Sequence, residues 1–448
     1  MKLSPGLFFC ALSLVLALPS VSAAGGAPSE PLPRPLTLDT AIAFAAAHNP
    51  GLRRTQEQIR EQEGVLVEAR AGRRPSLVAS GSYRRNDDGL LESPLYEDRA
   101  WSVDVTVTQV LYAGGGLQAR VRGQREQFAA AQFAFTAALN DTLLSVRRGF
   151  YGVLLARELI GVQEEALRVL EAELADARVR RQAGTGSDFD VLRAEVAVAN
   201  ARPGLIRARN TYHTSQDQLR ATLGAAADPA GGPTDLEVQG ALAVPRREFL
   251  LADALQAARA HRPELLQQER LVKAADQAIT SARSGYLPTV SAVAGYGWTK
   301  PSLVTTSDRA LEGWTAGVQA SWAIFDSRAT AGRVVQARSR AGQARYAAEE
   351  RTLAVEVEVR TAHAALGEAG EILGSSAKVV EQARESLRLS QARFQAGTAT
   401  QLDVLTAQSA LTQARSNLAQ AQHDYAVALA SLQRAAGLSL SEPAAAQP

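Results

Sequence analysis

The chain has 448 residues, 46% hydrophobic but only 5% aromatic, and a formal net charge of +2. A near-neutral balance offers no field for nucleic acid, and an aromatic-poor composition rich in Ala, Leu, Arg, Gln and Glu belongs to long helices rather than a thick globular core. Cys10 is the only cysteine and the five histidines form no H-x-x-H or H-E-x-x-H pattern, so no intramolecular disulfide, metal site or cofactor is expected.

Lys2 followed by the apolar run Leu7–Leu18 and the small residues Val21-Ser22-Ala23 predicts a cleaved secretory signal over 1–23. Cys10 sits inside the apolar run, a poor lipidation site, so no acyl anchor is expected. No other run approaches the ~18–20 apolar residues of a spanning helix, and any membrane crossing must therefore use strands. The Gly/Pro-rich stretch 24–35 is expected to be extended. Leu38–His48 reads as a short amphipathic helix stopped by Asn49-Pro50, and Leu52–Arg73 as a second helix ended before Pro75.

The period then changes. Apolar and polar residues alternate strictly from Trp101 to Thr108, which predicts a strand with one apolar and one polar face, and Ser76–Tyr83 is its weaker partner. Residues 117–183 lack proline and predict a single helix of ~100 Å at ~1.5 Å per residue. Gln182-Ala183-Gly184-Thr185 turns the chain: Gly184 fits a left-handed C-cap, and Thr185 or Ser187 can cap the next helix, 188–223. Pro203 is expected to break or kink that helix.

This whole pattern is written twice. Gln182-Ala-Gly-Thr…Asp190-Val-Leu192 returns as Gln395-Ala-Gly-Thr…Asp403-Val-Leu405, an offset of 213. The same offset carries His48-Asn49-Pro50 onto His261-Arg262-Pro263, Pro75 onto Pro288 and Trp101 onto Trp314. Landmarks held in one register mark a duplicated structural unit. The second copy predicts strands Thr289–Trp298 and Trp314–Phe325, a long helix over 330–396 and a last helix over 401–436. Its turn has Gly397 as C-cap and Thr398 or Thr400 as helix cap. Val355, Val359, Leu366, Leu373, Val380 and Leu387 belong to a seam stepping by three and four, and a seam on so long a helix needs neighbours. Trp101, Trp298, Trp314 and Trp322, with Tyr83, Tyr112 and Tyr296, gather at the strands, as in an interfacial girdle. Packing in a soluble hairpin is the competing explanation.

The expected organisation is a signal at 1–23, an extended segment at 24–35, repeats at 36–224 and 249–437, a linker at 225–248 and a tail at 438–448. The fold class is mainly α, with long antiparallel coiled-coil helices, plus four strands per protomer for a small membrane β-barrel. Four strands cannot close a barrel, and an open edge is not tolerated in lipid. Two or more chains must therefore pool their strands.

The chain resembles the TolC family of outer-membrane efflux proteins. The resemblance rests on the helix ends at 48–50 and 261–263, the strand entries Pro75 and Pro288, and Gln109–Gly115 at a strand-to-helix junction. It rests most on the two Gln-Ala-Gly-Thr…Asp-Val-Leu turns, and it covers nearly all of the mature chain. It implies a homotrimer in outer-membrane lipid of a Gram-negative bacterium, with a twelve-stranded barrel and an α-barrel projecting into the periplasm. The implied role is a passive duct served by a periplasmic adaptor and an inner-membrane pump of RND, ABC or MFS type. By the same resemblance Asp403, with Asp190 as its first-repeat counterpart, lines the periplasmic gate. The tip turns Gly184, Thr185, Leu192, Gly397, Thr398 and Leu405 receive the adaptor. The chain departs from the family pattern at Thr406, where a second aspartate ring falls, and at Ala399, where a latching arginine falls.

Three carboxylates around a narrow axis would attract cations and titrate upward; the alternative for Asp190 and Asp403 is a first-turn residue favoured by the helix dipole. Nothing resembles a nucleophile–base pair, and Gly114-Gly115-Gly116 lacks the Lys-Ser/Thr of a phosphate-binding loop. The reading is therefore a duct and not an enzyme. The alternative is a soluble periplasmic adaptor or coiled-coil scaffold, which would need no detergent once its signal is removed.

Overall fold

The computed structural model describes residues 32–87, 99–225, 236–300 and 310–438. The expected signal at 1–23 with Cys10, residues 24–31 and residues 439–448 lie outside them. Each repeat runs helix, helix, strand, strand, long helix, helix. The first consists of α1 (Leu38–His48), α2 (Pro50–Ala71), β1 (Ser76–Arg85), β2 (Arg99–Ala113), α3 (Gly116–Gln182) and α4 (Asp188–Leu223). The second consists of α5 (Leu251–His261), α6 (Pro263–Arg283), β3 (Thr289–Lys300), β4 (Leu311–Ser321), α7 (Ala329–Gln395) and α8 (Gln401–Ala435). Both α3 and α7 have 67 residues, a rod of ~100 Å. The mainly helical, internally duplicated fold with a four-stranded sheet is the one the sequence implies.

The elements start and stop for local reasons. Thr37 caps α1 through a reciprocal pair with Thr40. Asn49 ends α1 in an extended conformation and caps α2 by accepting from the Leu52 amide, with Pro50 at the first helical position. Pro203 does not break α4, which continues through it. Proline removes one helical hydrogen bond, but buried Val198 and Leu205 on either side hold the helix to its neighbours.

The sheet order is β1-β2-β3-β4, antiparallel throughout. Its register places Leu77, Ala79, Tyr83, Trp101, Val103, Val105, Val107, Tyr296, Trp298 and Trp314 on one face. Ser80, Ser82, Ser102, Asp104, Thr106, Gly295 and Gly297 lie on the other. Over Val103–Thr108 of β2 and Ala294–Trp298 of β3 the positions of the apolar face are exposed and those of the other face are half-buried, as in a sheet curved toward its polar side. There Ser80 Oγ donates to Asp104 Oδ2 at 2.7 Å, and Ser82 and Ser102 share a hydroxyl bond at 2.9 Å.

β4 ends at Ser321, not at Phe325. Ser321 pairs with Thr289, the first residue of β3, so among the described residues no strand extends the ladder to 322–325. The Trp322 indole instead donates to the Tyr286 carbonyl at 3.1 Å. Trp101 and Tyr112 lie eleven positions apart on β2. At ~3.3 Å per residue and a tilt near ~45° this is ~25 Å, the height of an outer-membrane apolar band.

Strand meets long helix through two left-handed residues in each repeat. Gly114 and Gly115 (φ 57° and 77°) are matched by Ser327 and Arg328 (φ 51° and 69°). Glycine is required at 114, where an added Cβ would stand 2.9 Å from Leu287 Cβ.

The core lies at mid-rod. Val146, Phe150, Val153 and Leu154 of α3 are buried. On α7, Val355, Val359, Leu366 and Ala369 pack with Tyr425, Leu429 and Leu432 of α8 and Ala254 and Ala258 of α5. The seam continues toward the turn as Val380 with Leu411 and Ala414, backed by Ala383 and Leu387. Its first-repeat counterpart is Ala177 with Val191 and Ala194. Small residues bring the helices close, and each buried Val or Leu contributes about 1.5–3 kcal/mol.

Residues 236–242 of the 225–248 segment form a strap on the core. Leu36 pairs in parallel with Val238, and Leu236, Val238 and Leu242 are buried. The Arg157 guanidinium donates to the Val238 carbonyl at 2.8 Å and to the Gly240 carbonyl at 3.1 Å.

Candidate functional site: the two hairpin tips

Each hairpin turn is built by the same few bonds. Gly184 and Gly397 take φ of 76° and 73°, which reverses the chain at no steric cost. The Thr185 amide and hydroxyl both donate to the Arg180 carbonyl, at 2.9 and 3.2 Å. Thr398 does the same to Arg393, at 2.8 and 3.1 Å. These threonines therefore finish the helix behind them, and Ser187 and Thr400 cap the helix ahead.

Asp190 and Asp403 are the reciprocal members of those caps. The Ser187 hydroxyl donates to Asp190 Oδ2 at 2.7 Å, and the Asp190 amide donates back to Ser187 Oγ at 3.2 Å. The Thr400 amide and hydroxyl donate to Asp403 Oδ2 at 2.7 and 2.8 Å, and the Asp403 amide donates to Thr400 Oγ1 at 3.3 Å. Such paired caps satisfy helix-end donors that would otherwise be free. Hydrogen bonds from Ser187 hold the Asp190 carboxyl below the ordinary carboxylate range. Those from the Thr400 backbone and hydroxyl do the same for Asp403. Within one protomer the shift is thus downward; the upward shift expected of a carboxylate ring requires several copies to face one another.

The sign of the pH dependence follows. A carboxylate whose folded pKa is depressed contributes stability above its unfolded pKa, near ~3.9, and loses that contribution as pH falls through the folded value. The protection of the amides over 186–190 and 399–403, meaning their exchange relative to the intrinsic rate at each pH, is accordingly expected to be constant from neutral pH to about 5 and to fall below about pH 4. Unchanged protection of these amides at pH 3 would remove the capping role.

The tips also touch each other. Arg180 of the first hairpin lies over the Phe394 ring of the second, 4.5 Å from its centroid. Beside this contact is a recess of about 380 Å³ lined by Glu173, Asp176, Phe189, Asp190 and Gln401. Burial pushes the Glu173 carboxyl up, and the neighbouring Asp176 charge adds to it. Gln401 is buried, and its Oε1 has no protein partner among the described residues.

Of the residues singled out from sequence, Gly184, Thr185 and Asp190 form one turn, and Gly397, Thr398 and Asp403 the other. Leu192 is exposed on α4 and Leu405 is half-buried on α8. Arg180, Glu173 and Gln401 carried no motif. Only the order Arg180…Gly184 against Phe394…Gly397, the same turn seen from both hairpins, could have drawn attention to the contact. Among the described residues no cluster of His, Cys, Asp and Glu could hold a metal ion, and no helix is long and apolar enough to cross a membrane.

The family model described as "Outer membrane efflux protein" matches residues 41–225 and again 254–438, one match per repeat. Protein CyaE of Bordetella pertussis is 28% identical over 411 residues, covering 89% of this chain and 85% of that protein. Outer membrane efflux protein BepC of Brucella suis is 24% identical over 407 residues, covering 90% and 85%. Among solved structures, the channel-forming protein CusC superposes with a TM-score of 0.76 at 20% identity, covering 90% of this chain and 92% of that one. The chain belongs to the outer membrane efflux protein family and is an outer-membrane channel of efflux and secretion systems that extends into the periplasm.

Proposed function

We propose that three copies of this chain join into one sealed duct, and that the two hairpin tips of each copy form its periplasmic entrance. The observation that carries this reading is the sheet. β1 and β4 are its outermost strands, and among the described residues of one chain neither has a partner on its far side. Such edges are not stable in lipid. The convex face is apolar and aromatic-flanked, and the sheltered face carries Ser, Thr and Asp104, as a wall between outer-membrane lipid and a wet lumen needs. The helices repeat the requirement, because α7 exposes Val335, Tyr346, Leu353, Val357 and Ile372, which another copy can cover. Joining β4 of one copy to β1 of the next closes twelve strands from three copies. A detergent-solubilised particle with the protein mass of three chains is expected; a stable monomer in plain buffer would end the reading.

The duct works without chemistry of its own. Transport energy comes from an inner-membrane pump through a periplasmic adaptor seated on the tips, at Gly184, Thr185, Leu192, Gly397, Thr398 and Leu405. Asp403, and its first-repeat counterpart Asp190, place negative charge at the entrance. Asp403→Ala is expected to raise single-channel conductance or weaken block by multivalent cations in planar bilayers. Asp403→Asn should weaken the block similarly while keeping an acceptor for Thr400, whereas Thr400→Ala should leave the block in place. If Thr400→Ala reproduces the aspartate variants, Asp403 is a cap and not a gate.

A further inference from the structure

The polar face of the sheet carries very little charge. Among its described residues only Arg84 and Asp104 are charged; the rest are hydroxyls, glycines, Gln319 and a few apolar side chains. Arg84 stands opposite Ala100, near the end of the sheet away from the helices. Asp104 lies further in, between Ser80 on β1 and Gly297 on β3.

The Asp104 carboxylate is both held and kept open. The Ser80 hydroxyl donates to its Oδ2 at 2.7 Å, and Thr106 Oγ1 lies 3.5 Å from the same oxygen. The residues beside this pair on β3 are Gly295 and Gly297. A Cβ at 297 would stand 3.1 Å from Asp104 Cβ, and one at 295 would stand 3.2 Å from Thr106 Oγ1. Larger residues there would crowd the carboxylate. The glycines instead leave a recess of about 390 Å³ between β2 and β4, lined by Asp104, Thr106, Gly295, Gly297, Gly313 and Thr315. One carboxylate and two hydroxyls around an open floor offer oxygen acceptors to a hydrated cation.

We propose that Asp104, once per copy, sets the charge preference of the duct within the outer membrane, favouring inorganic cations and ammonium groups over anions. The proposal rests on three copies pooling their strands. Twelve strands spaced ~4.8 Å and tilted ~45° enclose a backbone cylinder ~25 Å across. The three carboxylates then stand ~9 Å from its axis, within the screening length of ~10 Å at ~0.1 M salt. Together they hold the axis at a potential on the order of kT. Arg84 does not cancel them, because it lies four positions along the sheet, ~13 Å away, and is screened more strongly. A ring of charged side chains at such a radius selects ions by sign. It is separate from Asp403, which lies beyond the far end of the 67-residue helix α7.

The test is the reversal potential of the full chain in planar bilayers under a potassium chloride gradient near ~0.1 M. The wild type is expected to pass potassium in preference to chloride. Asp104→Asn should lower the permeability ratio by about twofold or more, and the difference should vanish near ~1 M, where screening shortens to ~3 Å. Once the signal expected at 1–23 is removed with Cys10, Asp104→Cys introduces the only thiol. On a channel already conducting, a sulfonate-bearing thiol reagent should restore the cation preference and an ammonium-bearing one should turn it toward chloride. This second variant reads the charge without any assembly defect entering the comparison. A wild-type ratio in Asp104→Asn at low salt, or equal ratios after complete labelling with the two reagents, overturns the assignment and leaves the duct standing. A wild-type protein that forms no channel overturns the duct and this inference with it.

Discussion

Arg262→Ala is expected to destabilise the folded chain by about 3–5 kcal/mol, the cost of removing one partner from a buried ion network. Arg262 is only 1% exposed, at the elbow between α5 and α6. Its Nε donates to Glu264 Oε2 at 2.9 Å and its Nη2 to Glu358 Oε2 at 2.7 Å. Its Nη1 donates to the Ala435 carbonyl at the end of α8, at 3.1 Å. Arg434 joins the same carboxylates and extends to Asp141 of α3, which ties the two repeats together. Alanine would leave Glu264 and a helix-end carbonyl with fewer donors where water hardly reaches, and would take one of two arginines from the partly exposed Glu358. The first repeat provides an internal control. Its equivalent, Asn49, donates to the equivalent Thr222 carbonyl at 2.7 Å and accepts from the Leu52 amide as the cap of α2, two uncharged bonds whose loss in Asn49→Ala is expected to cost about 1–2 kcal/mol. Thermal midpoints in one detergent compare the two.

The pH dependence separates this network from simple packing loss. Burial pushes the Glu358 carboxyl up, but Arg262 and Arg434 outweigh that and leave it below its ordinary value. A depressed carboxylate contributes stability above its unfolded pKa, near ~4.3, and the contribution is lost as pH falls through the folded value. The gap between wild type and Arg262→Ala should therefore be full at neutral pH and narrow below about pH 4. A gap unchanged by acid would mean that Arg262 acts only through its volume.

Gly224→Ala is the second large effect. Gly224 has φ of 78°, and an added Cβ would meet the His48 carbonyl oxygen and Pro50 Cδ at 2.7 Å and Asn49 Cα at 2.9 Å. Left-handed strain costs about 1–2 kcal/mol, and forcing the α1–α2 elbow off the end of α4 adds about 1–3 kcal/mol. Gly184 has nearly the same φ, 76°, with nothing within 4 Å, so Gly184→Ala should show the strain alone. Equal losses at 224 and 184 would show that close approach of the elbow is unimportant.

Much of this architecture was legible from residue order because it repeats or has a period. The two 67-residue helices follow from unbroken stretches without proline, and the seam through Val355, Val359, Leu366 and Val380 from steps of three and four. The tip turns follow from glycine, whose freedom at positive φ no neighbour need supply. The strand limits were legible only where a partner existed: alternation runs on to Phe325, but a ladder ends where the opposing strand ends, at Thr289. At the candidate site, sequence located Asp190 and Asp403 and offered Ser187 and Thr400 among the possible caps, but did not pair them, because a cap and a gate use the same residue at the same turn.

Residue order alone thus settled what is local or duplicated: the helices, the reversals, the two-faced strands and the offset of 213. Folding in three dimensions decided the rest: the strap of Val238 on Leu36, Arg180 over Phe394, and Arg262 among Glu264, Glu358 and the end of α8. Each of these joins parts of the chain far apart in sequence through a few contacts, and such contacts leave no period in the sequence. Its energy comes from burial and charge that exist only once the helices are side by side.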